Sequence, residues 1–398
     1  MIAARAIAVL AAMPAAALAG GFAVPEQTIT AAGTGGAGAA RDDEAGAAWT
    51  NPAALADDGG VRLGVGLVLA RPQVSAQADD GTWTADTDGG WSTPPHLDAA
   101  WSGRGLTAGV ALGVPFGGGV TWPADWAGRF EIVSSELLVG RIAPFVGVRF
   151  GDVRVAAGPH VDRGRLTVRR RLDFIDAEGD AVVDVAGTGI GGHAAVWWSR
   201  GALALGATYK SRTRIAMRGG ADFETPPEFS GAAPDQRARA TITVPDRLAF
   251  GASWQRGRWR ALVDVDVTLW GTYDRLTIDF ADDATADVHQ RNDWHTTAAV
   301  RLGGERALGA ATVVRAGVAI DPSPAPDATL SPSSPDGLRW SVTAGGSVRI
   351  ARGVIVDGFA EYLRVVGRDA TSMETMAARY QGWAVLVGAG VRWGSRAQ

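Results

Sequence analysis

The chain has no cysteine among its 398 residues. Disulfide staples and thiolate metal sites are therefore excluded. Long apolar runs are missing too. Beyond residue 19, no uncharged stretch reaches the ~18 residues that a membrane-spanning helix requires. The five histidines, at 96, 160, 193, 289 and 295, form no H-x-x-x-H pair, which leaves a metal site without sequence support. A G-x-S-x-G elbow is also absent, so no hydrolase nucleophile is nominated. The net charge of −4 argues against a general nucleic-acid partner. Gly187-Thr188-Gly189-Ile190-Gly191-Gly192 matches G-x-G-x-x-G but lacks the βαβ unit that a dinucleotide site needs. No cofactor is expected, and catalysis finds no support in the sequence.

What the chain does have is glycine, tryptophan and alternation. There are 54 Gly and 15 Trp residues. Mean hydropathy is +0.04, a value that suits a soluble protein. It equally suits a membrane β-barrel, in which only alternate residues of each strand face lipid. From Val61 to Trp393 the dominant period is two, the signature of strands. In "ALVDVDVTLWGTY", Val263, Val265 and Val267 oppose Asp264, Asp266 and Thr268. "RWSVTAGGSVRI" and "WAVLVGAGVRW" alternate in the same way. Trp294, Trp340, Trp383 and Trp393 open or close apolar faces, as expected of an aromatic girdle. Periodicity alone does not decide which face points outward.

Turn signals order these runs. Short ones, such as Arg104-Gly105, Gly151-Asp152, Arg200-Gly201 and Arg352-Gly353, alternate with longer polar or Pro-rich connections. Short periplasmic turns and long external loops are the outer-membrane pattern, and about fourteen strands fit between them. The expected fold is an all-β, transmembrane, antiparallel barrel over residues 61–398. Such a closed single-chain barrel leaves no free edge and is expected to be monomeric. Arg5, the apolar stretch Ala6–Leu18 and Ala17-Leu18-Ala19 read as a signal peptide over residues 1–19, so Gly20 is expected to start the mature chain.

Two regions break the alternation. Residues 20–60 are rich in Gly and Ala, then acidic at Asp42-Asp43, and end on Asn51-Pro52-Ala53, a turn-forming tripeptide. In "LGVPFGGGVTW", Pro115 lacks a ladder N–H. Either the wall is kinked there or the strand ends at Phe116. Asp264, Asp266, Arg301, Arg315, Arg349, Asp357, Glu361 and Arg392 fall on the polar faces. They read as a self-satisfying lumenal network or, more sharply, as supplying a carboxylate-binding arginine.

Taken together, "GGFAVPEQTITAAGTGGAGAARDDEAGAAWTNPAALA", "GVPFGGGVTWPADWAGRF" and "TITVPDRLAFGASW" resemble the FadL-type outer-membrane transporters of long-chain fatty acids and aromatic hydrocarbons. The resemblance spans nearly the whole mature chain. It implies that residues 20–60 form a hatch inside the barrel, marked by Glu26, Gln27, Asn51, Pro52 and Ala53. It implies a gate at Gly20, Gly21 and Phe22. It also implies lateral release of a hydrophobic small molecule into outer-membrane lipid beside Gly113, Pro115, Phe116 and Gly117. The expected function is passive uptake, of fatty acids first and aromatic hydrocarbons second. A structural barrel with a permanently plugged lumen is the alternative from another class. Two departures stand out. The connection Ile175–Asp180 is short where the family often has a large external loop, and five residues follow Trp393.

Overall fold

The computed structural model describes residues 20–395 except 43, 58, 231–232 and 372–375. The expected signal peptide and Asp43 lie outside the described residues. The strands are β1 (Gly60–Gln77), β2 (Pro95–Gly103), β3 (Leu106–Thr121), β4 (Ser134–Phe150), β5 (Val153–Asp173) and β6 (Glu178–Arg200). The next four are each interrupted once: β7 (Leu203–Lys210, Thr213–Glu224), β8 (Gln236–Val244, Arg247–Arg256), β9 (Trp259–Thr268, Arg275–Phe280) and β10 (Val288–Arg291, Thr297–Ala307). The set closes with β11 (Thr312–Asp321), β12 (Arg339–Ala351), β13 (Val354–Asp369) and β14 (Arg379–Gly394). Every neighbour is antiparallel, and β14 pairs back onto β1 from Arg62↔Gly394 to Gln77↔Arg379. The result is a closed 14-strand barrel. The G-x-G-x-x-G match lies wholly inside β6.

The barrel's faces settle what periodicity left open. Val263 and Val265 of β9 are 39% and 36% exposed, whereas Asp264 between them is 2% exposed. Leu63, Val65, Leu67 and Leu69 line the outside of β1. A soluble sandwich buries such residues; here the apolar face is turned out, as lipid requires. Trp101, Trp254, Trp259 and Trp393 are exposed near the short-turn rim. Trp340 and Tyr362 meet at 5.9 Å near the other rim. Trp294 departs from the girdle expectation. It is buried, because β10 breaks between Arg291 and Thr297 and releases the residue from the outward alternation.

Short turns close one rim. Arg104 and Gly105 both take positive φ (55° and 74°), the pair of values a two-residue hairpin turn needs. At the opposite rim the β5–β6 connection is only the stretch between Asp173 and Glu178, so the expected brevity there holds.

Residues 20–42 and 44–56 are enclosed by the strands, most of them buried. They fold as α1 (Ile29–Ala32), α2 (Ala47–Thr50) and a 3₁₀ turn, Pro52–Leu55. Thr28 caps α1 by accepting from the Ala31 N–H at 3.1 Å. Asn51 caps the 3₁₀ turn through the Ala53 N–H at 3.2 Å. These elements are too short to stand alone; the barrel's inner face holds them. Wall glycines make the approach possible. A Cβ at Gly206 of β7 would sit 1.8 Å from the Ala39 carbonyl oxygen, and one at Gly317 of β11 would sit 2.2 Å from the Gly35 nitrogen.

Candidate functional site

The site begins where the enclosed segment meets β3. From Leu97↔Leu112 to Gly103↔Leu106, β3 pairs with β2. Beyond Leu112 no ladder joins the two strands among the described residues. β3 does not end at Phe116. Its pairing with β4 is irregular between Gly113 and Phe116, then continues to Thr121↔Ser134. The edge that leaves β2 is taken up from inside. Val24 N–H donates to the Pro115 carbonyl at 2.9 Å, and Gly117 N–H donates to the Phe22 carbonyl at 2.8 Å. Pro115, which has no N–H, thus needs only an acceptor role here. Gln27 completes the junction. Its Nε2 donates to the Val114 carbonyl at 2.6 Å, and its Oε1 accepts from the Val114 N–H at 3.1 Å. Farther up, Asp88 N–H reaches the Thr121 carbonyl at 2.8 Å. The stretch of wall between Leu112 and Thr121 therefore lacks a neighbouring strand on its β2 side.

Gly20, Gly21 and Phe22 come together with that junction. The Phe22 ring contacts Phe116, Trp270, Tyr273 and Trp294 at 5.8, 4.7, 5.1 and 5.5 Å. Trp270 reaches inward on the break in β9, as Trp294 does on the break in β10. Gly21 N–H donates to Asp336 at 3.2 Å, and Arg339 Nη2 donates to the Gly21 carbonyl at 3.3 Å. Asp336 and Arg339 are ion-paired. Arg339 Nε and Nη1 are buried and have no hydrogen-bond partner among the described residues.

Asn51, Pro52 and Ala53 lie elsewhere along the enclosed segment. Asn51 Nδ2 donates to the Ala39 carbonyl at 2.8 Å and to the Val196 carbonyl of β6 at 3.1 Å. Pro52 and Ala53 start the buried 3₁₀ turn behind it. Asp264 accepts from Gly38 N–H and Ala39 N–H, both at 2.7 Å. Arg41 donates to Glu305 at 2.9 Å, Arg301 pairs with Asp266 at 2.6 Å, and Arg392 with Asp357 at 2.8 Å. Arg315 joins Glu305. These groups pair with one another and with the enclosed segment inside the lumen, and Asp264 Oδ1 is buried without a partner among the described residues. Asp42 lies 3.9 Å from Arg260, at the edge of ion-pair range. Burial raises the Glu26 carboxyl above its ordinary pKa, partly offset by a backbone hydrogen bond and by Arg301.

Above Phe22, on the long-loop side, lies apolar space. A cavity of about 90 Å³ is lined by Phe22, Val120, Leu137, Ile242, Trp294 and Arg339, among others. A second, of about 270 Å³, runs past Val168, Val183, Phe223, Ile278 and Phe280. Both touch Ser135, Leu276, Gln290 and Ser333, so they are consecutive. The lower one also touches Gly118 and Gly119 of β3. Glu131, in the loop before β4, lines the upper one, and burial raises its pKa. An apolar cavity with a few convergent polar groups is the usual form of a small-molecule site.

Sequence reasoning located Gly20–Phe22, Gln27 and the β3 irregularity, and the structure brings them within one junction. It missed Trp270, Tyr273, Asp336 and Arg339. The local cue for the tryptophans was available: Trp270 follows the end of an alternating run and precedes Gly271. No local pattern marked Arg339, which simply opens a strand.

A closed barrel with an outward apolar band and a lumenal apolar cavity defines an integral membrane protein of the β-barrel class. Residues 9–393 match the outer membrane protein transport protein family (OMPP1/FadL/TodX). The chain belongs to that family, and it is an outer-membrane transport protein for hydrophobic compounds. A curated outer membrane protein of Neisseria meningitidis serogroup B is 23% identical, over 93% of each chain. A Pseudomonas aeruginosa FadL homologue superposes with a TM-score of 0.85 at 18% identity, covering 94% of this chain and 99% of its own. The Pseudomonas putida toluene transporter TodX gives 0.76 at 16% identity, covering 92% and 98%. These structural likenesses establish the fold.

Proposed function

We propose that the protein carries long-chain fatty acids inward. The observation that supports this over other apolar cargo is Arg339. It lines an apolar cavity, and two of its nitrogens are buried without hydrogen-bond partners among the described residues. Unmet buried donors are costly, and a carboxylate is the acceptor that a guanidinium grips best. The acyl chain then occupies the upper cavity, where each buried CH₂ contributes about 0.8 kcal/mol.

Residues 20–60 act as the hatch in this reading, and Gly20–Phe22 as its movable end. Arg339 and Asp336 hold Gly21 at the point where the carboxylate arrives. Cargo binding therefore competes with N-terminal anchoring and loosens Phe22. The cargo leaves sideways, past Gly113, Pro115, Phe116 and Gly117, where β3 has no strand on its β2 side. This path takes an apolar molecule from cavity to bilayer without crossing the aqueous periplasm.

The test is uptake of labelled oleate and toluene by cells lacking their own transporters, with Arg339→Gln beside the wild type. Oleate uptake falls at least several-fold while any toluene uptake persists. Equal loss of both, or of neither, removes the carboxylate role. A second reading, uptake of aromatic hydrocarbons, draws on the Phe22 aromatic cage; toluene uptake exceeding oleate uptake in the wild type would favour it. Absence of uptake for either compound leaves the plugged structural barrel.

A further inference from the structure

The outer wall of the barrel carries a basic feature that begins beside the β3 irregularity. On β5, the outward residues Val153, Val155, Ala157, Pro159 and Val161 are apolar, and the next outward positions are Arg163 and Arg165. On β6 the outward apolar run extends from Trp198 to Ile190. Eight steps of ~3.3 Å span roughly 26 Å along the strand, or about 20 Å of membrane after tilting. An outer-membrane apolar band is about 25 Å tall. The arginines therefore stand just above it, on the long-loop side, at the level of the outer-leaflet head groups.

The register concentrates them. Arg165 pairs with Ala186 of β6, Ala186 with Arg218 of β7, and Arg218 with Arg239 of β8. All four arginines, 163, 165, 218 and 239, are exposed. Asp184 holds Arg165 at 2.9 and 2.5 Å. Arg163 reaches only the Thr188 hydroxyl, at 3.4 Å. Arg218 and Arg239 face each other directly across the ladder, and neither has an ion pair or side-chain hydrogen bond among the described residues. Asp279 stands opposite Arg239 in register without joining it. Like charges directly opposite one another destabilise a sheet. A multivalent anion seated between them reverses that sign.

Among these arginines the wall is hollowed. A depression of about 310 Å³ has Ile142 and Val161 below, Leu138 and Ala186 level with Arg165, and Arg163, Arg165, Arg218 and Asp184 around it. A bare anion site has no use for an apolar floor, and an apolar hydrocarbon has no use for three guanidinium groups. Together they fit an amphiphile with acyl chains and a phosphate head. We infer that this face binds the phosphorylated glycolipid of the surrounding outer leaflet, with its phosphate across Arg218 and Arg239 and one acyl chain in the depression. Guanidinium groups suit phosphate because they donate bidentately. The inference does not depend on which cargo the lumen carries.

The experiment is native mass spectrometry of the purified, detergent-solubilised protein titrated with bis-phosphorylated lipid A. Dephosphorylated lipid A, phosphatidylglycerol and inorganic phosphate are the comparison arms. Bis-phosphorylated lipid A binds most tightly, and the Arg218→Gln, Arg239→Gln double variant weakens it by about tenfold or more, as loss of charge-assisted contacts implies. Heat-modifiable gel mobility identical to wild type shows that the variant barrel is folded. Binding that ignores the double substitution or the removal of phosphate overturns the site. Phosphatidylglycerol binding equally well overturns the glycolipid assignment, and displacement by equimolar inorganic phosphate overturns the acyl-chain contribution.

Discussion

The side-chain amide of Gln27 and the backbone of Val114 exchange two hydrogen bonds, at 2.6 and 3.1 Å, across 87 positions of sequence. A side-chain amide can donate from its nitrogen and accept on its oxygen toward the carbonyl and N–H of one residue at once. It does here what a neighbouring strand does elsewhere: it satisfies both polar groups of a residue that β2 has left. The enclosed segment thereby serves as a partial replacement for missing wall.

Gln27→Leu removes both bonds and leaves the Val114 N–H and carbonyl buried. Each orphaned group costs about 1–3 kcal/mol. The expected outcome is a leaky channel: raised conductance in planar bilayers, with barrel mobility on gels unchanged. Gln27→Glu keeps the acceptor but sets a carboxylate oxygen against the Val114 and Val24 carbonyls that Nε2 serves, and should be at least as leaky. Wild-type conductance for Gln27→Leu would show that the junction does not hold the segment in place.

Phe22→Ala empties the aromatic cage. Truncating a buried phenylalanine typically costs about 3–5 kcal/mol, and aromatic edge contacts add to that. The loss falls on the docked N-terminus, because Trp270, Tyr273 and Trp294 still contact one another. Residues 20–27 should therefore become sensitive to added protease while the 14 strands stay resistant. Equal protection in variant and wild type would place the anchoring elsewhere.

Two wall glycines separate packing from backbone effects. A Cβ at Gly317 would lie 2.2 Å from both the Gly35 nitrogen and the Thr34 carbonyl carbon, whereas nothing lies within 4 Å of one at Gly304. Both occupy regular strand positions with ordinary φ. Gly317→Ala should displace the segment and lower the thermal midpoint, while Gly304→Ala should leave it unchanged or raise it slightly. If both variants behave alike, close approach of the segment is not what selects glycine at 317.

These contacts explain which parts of the molecule could be read in advance. Alternation survives in sequence because it is local: Val263, Asp264 and Val265 announce a strand whichever face is wet. The 14 strands and the unusual β3 followed from such patterns. The direction of the faces did not, because a two-residue period is symmetric between lumen and lipid. Trp294 was misplaced for a related reason: an aromatic residue beside a strand reads as girdle until the strand is known to break there. Arg339 and Asp336 gained meaning only from Gly21, more than 300 positions away, and no local signal encodes such a meeting. Gln27 was named through family resemblance; its partner Val114 required coordinates.

Glu26 gives the junction a pH dependence whose sign is determined. Burial is the largest influence on its carboxyl and raises its pKa; a backbone hydrogen bond, Arg301 and Arg339 oppose the shift, and Asp321 adds to it. An acid whose pKa is higher in the docked state prefers to be protonated there. Its contribution to docking is complete below the ordinary carboxylate pKa and is lost as pH rises through the raised value. Conductance should therefore increase as pH rises above the ordinary carboxylate range, toward and through the raised value. Glu26→Gln mimics the protonated form and should flatten this part of the profile while keeping low conductance throughout. Other groups titrate over the same range, so the difference between variant and wild-type profiles is the quantity to read. A difference that does not change with pH would mean that Glu26 titrates alike in the docked and free segment, and the burial argument would then fail.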